Sequence, residues 1–209
     1  MIENIEQWLV SACSILKLRS LNRAFMPRFL YWEDFTAVTI YLTKIRCYNS
    51  RIGSDSPLLM NINSILTPER TFCGLDTRSK KVAIEKASIL IAENMPHLRA
   101  VDIYNSLIAR EKLGPTALGN GIALPHCRIE GCKDIVGALF TINTPIDYGA
   151  LDDQLVDTMF VLLVPEEEVD EHLKTMAMLA KKFGSEEYRA NLKSAQNNQI
   201  LFDRACQMI

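Results

Sequence analysis

The chain contains no apolar run approaching the ~18 residues that a membrane-spanning helix requires, so a bilayer span is not expected. Its first residues, Met1-Ile2-Glu3-Asn4-Ile5-Glu6, are acidic where a secretory leader is basic. Charge of one sign is also lacking, since 23 Lys and Arg face 25 Asp and Glu for a net charge of -2. That balance argues against nucleic acid as the main partner, which needs a concentrated basic face, and no such face is visible in the sequence. The six cysteines, at 13, 47, 73, 127, 132 and 206, follow no framework spacing. A chain of 209 residues can build its core without disulfides, so they read as reduced thiols. Internal repeats and low-complexity tracts are absent. What remains is a soluble, cytoplasmic globular protein, 48% hydrophobic and 23% charged.

Composition changes near residue 60. Residues 1-59 carry both tryptophans and half of the aromatics, with seven Lys and Arg against five Asp and Glu; residues 60-209 carry sixteen against twenty. Trp8 to Leu18 suits a short helix and Phe35 to Leu42 either a strand or a helix, and the polar stretch Asn49 to Pro57 reads as a linker. Two readings of residues 1-59 stay open. They form an extension that docks its aromatics on the rest, or they lie upstream of a true start at Met60.

Beyond Met60 the local signals agree with one another. Asp76 or Thr77 is placed to cap a helix from about Ser79 to Glu93, which Pro96 stops. A second helix from about Val101 carries Arg110, Glu111 and Lys112 in its last turn and meets Gly114 as its cap. The apolar runs Ile135 to Ile142 and Val156 to Val164 are of strand length, ended by Asn143-Thr144-Pro145 and Pro165. Such continuous runs predict strands covered on both faces. A third helix, about Val169 to Phe183, aligns Val169, Leu173, Met176, Ala180 and Phe183, with His172 at the border of the stripe. Short helices over Glu186 to Ala195 and Gln199 to Met208 complete an α/β domain over residues 60-209, a mixed β-sheet flanked by helices on both faces.

Between the second helix and the first strand lies Gly114-Pro115-Thr116-Ala117-Leu118-Gly119-Asn120-Gly121-Ile122-Ala123-Leu124-Pro125-His126, with three glycines and two prolines in thirteen residues. Gly119 and Gly121 permit a sharp turn that brings amides toward a bound anion, and Pro125 fixes the approach to His126. An imidazole near its pKa offers a neutral nucleophilic nitrogen without strong activation. Phosphoryl transfer needs positioning and a fixed cation, and Arg110 is the candidate.

Ala109-Arg110-Glu111-Lys112-Leu113-Gly114 followed by Thr116 to His126 resembles the active-site signature of phosphotransferase system IIA components of the fructose/mannitol type. Among these the nitrogen-related regulatory branch is the most similar. The likeness continues through Asn143 to Ile146, Val156-Asp157, the strand to Pro165, His172-Leu173 and Leu179 to Lys181. It implies the IIA fold from Met60 onward and a transient phosphohistidine at His126. It also implies that Arg110 and His172 lie beside that residue, and that Thr116, Gly119, Asn120 and Gly121 shape the loop around the phosphoryl group. The phosphoryl donor would be a histidine phosphocarrier protein, itself charged from phosphoenolpyruvate by an enzyme I. Onward partners would be regulatory targets, such as a sensor kinase or a potassium transporter in nitrogen, potassium or carbon control, or a IIB domain in sugar uptake. No cofactor is implied, and no small-molecule turnover of its own. Two positions depart from the family pattern: Cys127 stands where glycine is usual, so the backbone there must suit a Cβ, and Leu155 replaces a frequent proline.

Each residue also has a plainer reading. Arg110 suits the negative end of its helix, His172 the edge of a packed face, and His97 has no assigned role. His126, Cys127, Cys132 and His172 can be imagined as metal ligands, but Cys-x4-Cys is not a strong zinc pattern, and no metal is assigned. A protein-binding module without phosphorylation is the remaining alternative.

Overall fold

Two consecutive apolar strands, β5 (Val136–Ile146) and β6 (Val156–Val164), pair antiparallel through the middle of the sheet, with Leu139 opposite Phe160 and Phe140 opposite Met159. The computed structural model describes residues 61–166 and 170–207; the expectations for residues 1-59, and for a start at Met60, lie outside them. β1 (Thr71–Leu75) runs parallel along the outer edge of β5, where Phe72 stacks on Phe140 with ring centroids 5.1 Å apart. Along the other edge of β6 come β3 (Ile122–Ala123) and then β4 (His126–Arg128), both parallel to it, while β2 (Ala117–Gly119) folds back antiparallel on β3.

Period-2 alternation divides the side chains of the central strands between two cores. Ala138, Phe140, Ile142, Met159, Val161 and Leu163 join the buried side of α1 (Lys80–Glu93) and α2 (Ala100–Leu113). Leu139, Phe160, Leu162 and Val164 join that of α3 (Asp170–Gly184), α4 (Glu186–Lys193) and α5 (Asn198–Cys206). The sheet is therefore mixed and covered by helices on both faces, as its unbroken apolar runs require. Burial of each large side chain contributes ~1.5–3 kcal/mol, which places most of the stability in this layer.

Several local expectations are corrected. The cap of α1 is Ser79, whose hydroxyl oxygen accepts from the Val82 N–H at 3.4 Å, rather than Asp76 or Thr77. β5 does not stop at Asn143 but continues to Ile146 through an irregularity in its pairing after Thr141. The buried stripe of α3 runs through Thr175, Leu179 and Phe183, and Ala180 is exposed, because the helix is rotated relative to the expected stripe. Val169 lies outside the described residues. The stretch expected as one loop before His126 folds into the three short strands β2 to β4, and β1 precedes both helices.

Candidate functional site

His126 opens β4 at the edge of β6, opposite Leu162. Pro125 before it accepts the Leu162 N–H at 2.9 Å through its carbonyl. Arg110, in the last turn of α2, reaches this edge. Its Nε–H donates to His126 Nε2 at 3.1 Å, and its Nη1 donates to the Gly114 carbonyl at 3.2 Å. On the other side of the ring, His126 Nδ1 lies 3.0 Å from the Leu124 carbonyl oxygen. His172, on α3, brings its ring to 5.6 Å from that of His126, centroid to centroid, at 55°.

These contacts assign the tautomer. The Leu124 carbonyl can only accept, so Nδ1 carries the hydrogen; the Arg110 Nε–H can only donate, so Nε2 presents its lone pair. In this arrangement the Nε2 lone pair faces a permanent cation, with a second imidazole close by. Both ring nitrogens of His126 are thus engaged, and a metal at Nε2 would face a guanidinium. Among the described residues, no group of three or more His, Cys, Asp and Glu side chains is gathered to hold a metal ion.

The glycine turn is built by three successive left-handed residues, Gly119 at φ 85°, Asn120 at 54° and Gly121 at 81°. A Cβ on Gly119 would lie 2.8 Å from Asp152 Oδ2, and the same oxygen accepts the Asn120 N–H at 2.7 Å. The acceptor that the Asn120 amide engages is therefore the protein's own carboxylate, from the β5–β6 connection. Gly121 gives its carbonyl to the N–H groups of Asp157 and Thr158, tying the turn to the start of β6. Thr116 is buried, with its hydroxyl donating to Glu111 and its carbonyl accepting the Leu124 N–H at 2.9 Å.

Cys127 lies within β4 opposite Leu163, outside the positive-φ residues, so its Cβ fits where glycine is usual. Burial pushes its thiol up to about 12, which keeps it protonated and unreactive beside the histidine.

Residues 64–204 match the family described as phosphoenolpyruvate-dependent sugar phosphotransferase system, EIIA 2. The chain belongs to this family. Its IIA domain is 40% identical over 144 residues to a nitrogen regulatory protein of Pseudomonas aeruginosa, covering 69% of this chain and 94% of that protein. The crystal structure of nitrogen regulatory protein IIA-Ntr from Neisseria meningitidis superposes with a TM-score of 0.62 at 36% identity, covering 69% of this chain and 98% of that one. The Escherichia coli mannitol IIA shares the fold, with a TM-score of 0.57 at 20% identity over 67% of this chain and 98% of its own. No helix among the described residues of the IIA domain is long and apolar enough to cross a membrane.

Sequence reasoning singled out Arg110, His126 and His172, and the fold brings the three together. It passed over Glu111 and Asp152, which hold the segments around them. Glu111 did leave a signal, because a carboxylate in the last turn of a helix opposes the dipole and needs another reason to be there. Four leucines around the same segments of the IIA domain are exposed: Leu113 ends α2, Leu118 lies in β2, and Leu151 and Leu155 flank Asp152 before β6.

Proposed function

We propose that His126 accepts a phosphoryl group on Nε2 from a histidine phosphocarrier protein, and that the phosphorylation state of this IIA domain controls what it binds. The observation that carries the reading is the pair of contacts that hold the His126 ring between the Leu124 carbonyl at Nδ1 and the Arg110 Nε–H at Nε2. In the transfer, the Nε2 lone pair forms the new P–N bond as the donor's P–N bond breaks and the donor imidazole leaves with that electron pair. The Arg110 guanidinium turns from Nε2 to the phosphoryl oxygens, where its charge offsets theirs. His172 supplies a second polar group beside them. The exposed leucines of the neighbouring segments would offer apolar contacts to a small donor protein.

A regulatory role in nitrogen metabolism is the reading favoured by the relatives named nitrogen regulatory protein. Incubation with labelled phosphoenolpyruvate, enzyme I and the carrier protein should label the chain, and His126→Ala should abolish the label. Label that persists on His126→Ala, or an unlabelled wild type, would overturn the assignment. Loss of label on adding a IIB and its sugar would point to sugar uptake instead. A pull-down comparing His126→Ala with His126→Asp would identify targets that read the added charge.

A further inference from the structure

Glu111 is the residue after Arg110, yet its side chain turns inward and is only 6% exposed. A buried carboxylate is costly unless its oxygens are satisfied. Here one oxygen accepts the Lys80 Nζ at 3.1 Å and the Thr116 N–H at 3.4 Å, and the other accepts the Thr116 hydroxyl. Lys80, the first residue of α1, also donates to the Tyr148 carbonyl at 2.9 Å and lies over the Tyr148 ring. Through Lys80 and Thr116 one carboxylate therefore joins the start of α1, the end of α2, the β5–β6 connection and the segment before β2. From Thr116 the connection continues to the histidine, since the Thr116 carbonyl accepts the Leu124 N–H and the Leu124 carbonyl accepts His126 Nδ1–H.

We propose that Glu111 is a positioning residue for His126, acting through Thr116 and Leu124 to hold the imidazole in the tautomer that presents Nε2. The proposal rests on the phosphoryl-carrier reading for its consequence, but not for its structural content. The location of Glu111 argues against a role in helix stability alone, because its charge opposes the dipole of α2 and burial removes its solvation. What the arrangement supplies is a fixed distance between the turn of α2 that carries Arg110 and the peptide that orients His126. The hydroxyl of Thr116 is part of this link, so serine and valine at that position separate hydrogen bonding from packing.

The test uses the full chain with 15N-labelled histidine. In the wild type, ring 15N shifts of His126 should report the Nδ1–H tautomer. Glu111→Gln and Thr116→Val should both mix the tautomers and slow labelling by the phosphocarrier about tenfold. Thr116→Ser, which keeps the hydroxyl, should recover most of both. Wild-type tautomer and labelling rate in Glu111→Gln would overturn the proposal. If Glu111→Gln does not fold, the pair at Thr116 decides: equal behaviour of valine and serine contradicts it. A wild type that takes no label would refute the phosphoryl-carrier reading, whereas the tautomer comparison would still decide the role of Glu111.

Discussion

The two edges of β6 are built differently. Toward β5 the strand meets a long antiparallel ladder of mostly apolar pairs, from Val136 with Leu163 to Thr141 with Thr158, covered on both faces. Toward β3 and β4 it meets two short strands separated by Leu124-Pro125, and the segment is held by carboxylates, Asp152 on the Asn120 amide and Glu111 on Thr116. The first edge supplies stability through packing. The second positions groups through directional bonds, and it carries His126. A hydrophobic ladder tolerates small shifts of its side chains, whereas an imidazole tautomer does not tolerate a displaced acceptor.

Mutations on the two edges should therefore separate in what they disturb. The largest expected effect on stability is that of Phe160→Ala, which empties a fully buried site packed against Phe183. It should cost ~3–5 kcal/mol in denaturant unfolding. Arg110→Ala removes no core side chain and should leave the unfolding midpoint nearly unchanged while slowing phosphoryl labelling by about 100- to 1,000-fold. Equal loss of stability in the two variants would erase the distinction between the edges.

Gly119→Ala sharpens the comparison within the site-bearing segment. The new Cβ would meet Asp152 Oδ2 at 2.8 Å on a left-handed backbone, and the variant should lose ~1–3 kcal/mol. Gly114, at the end of α2, has an extended backbone and open space where a Cβ would stand. Gly114→Ala should therefore change stability by no more than ~0.5 kcal/mol. A matching loss at both glycines, read from denaturant midpoints, would show that the turn geometry and the Asp152 contact do not matter.

The smallest effect concerns pH. Burial pushes the Cys127 thiol up to about 12 and raises the Tyr148 and Tyr188 hydroxyls further above their ordinary range. The folded chain holds these groups protonated, whereas the unfolded chain releases their protons once pH passes about 9 to 10. Their contribution to stability is thus fully present below pH ~9 and is lost as pH rises toward ~12. The urea midpoint should fall between pH ~8 and pH ~11, and in Cys127→Ala it should fall less steeply over that range. An equal slope in the variant would remove Cys127 from the account.

The same contrast explains what could be read from the chain alone. β5 and β6 were legible because strands buried on both faces leave unbroken apolar runs, and the helices because their caps and periodicity are local. β2, β3 and β4 have two or three residues each, in a stretch rich in glycine and flanked by proline, and they read as a loop. β1, an edge strand whose residues beyond Thr71 are only partly buried, shows no alternation to betray it. Ser79 was overlooked as a cap because Asp76 and Thr77 carry the same signal within a few residues. Arg110 and His126 stood out through their residue types and spacing, and His172 through family likeness. Asp152 and Glu111 act on partners that the fold brings to them, and Asp152 in particular is one acidic residue in a polar connection until Asn120 is seen beside it.

The central claim is that the Leu124 carbonyl and Arg110 leave His126 one nitrogen with which to accept a phosphoryl group. The most direct measurement is the 15N and 31P spectrum of the chain, labelled with 15N-histidine and phosphorylated through enzyme I and the carrier protein. A single phosphohistidine at His126, bonded through Nε2, is the predicted result. A phosphoryl group on Nδ1 of His126, or on another residue, would contradict it.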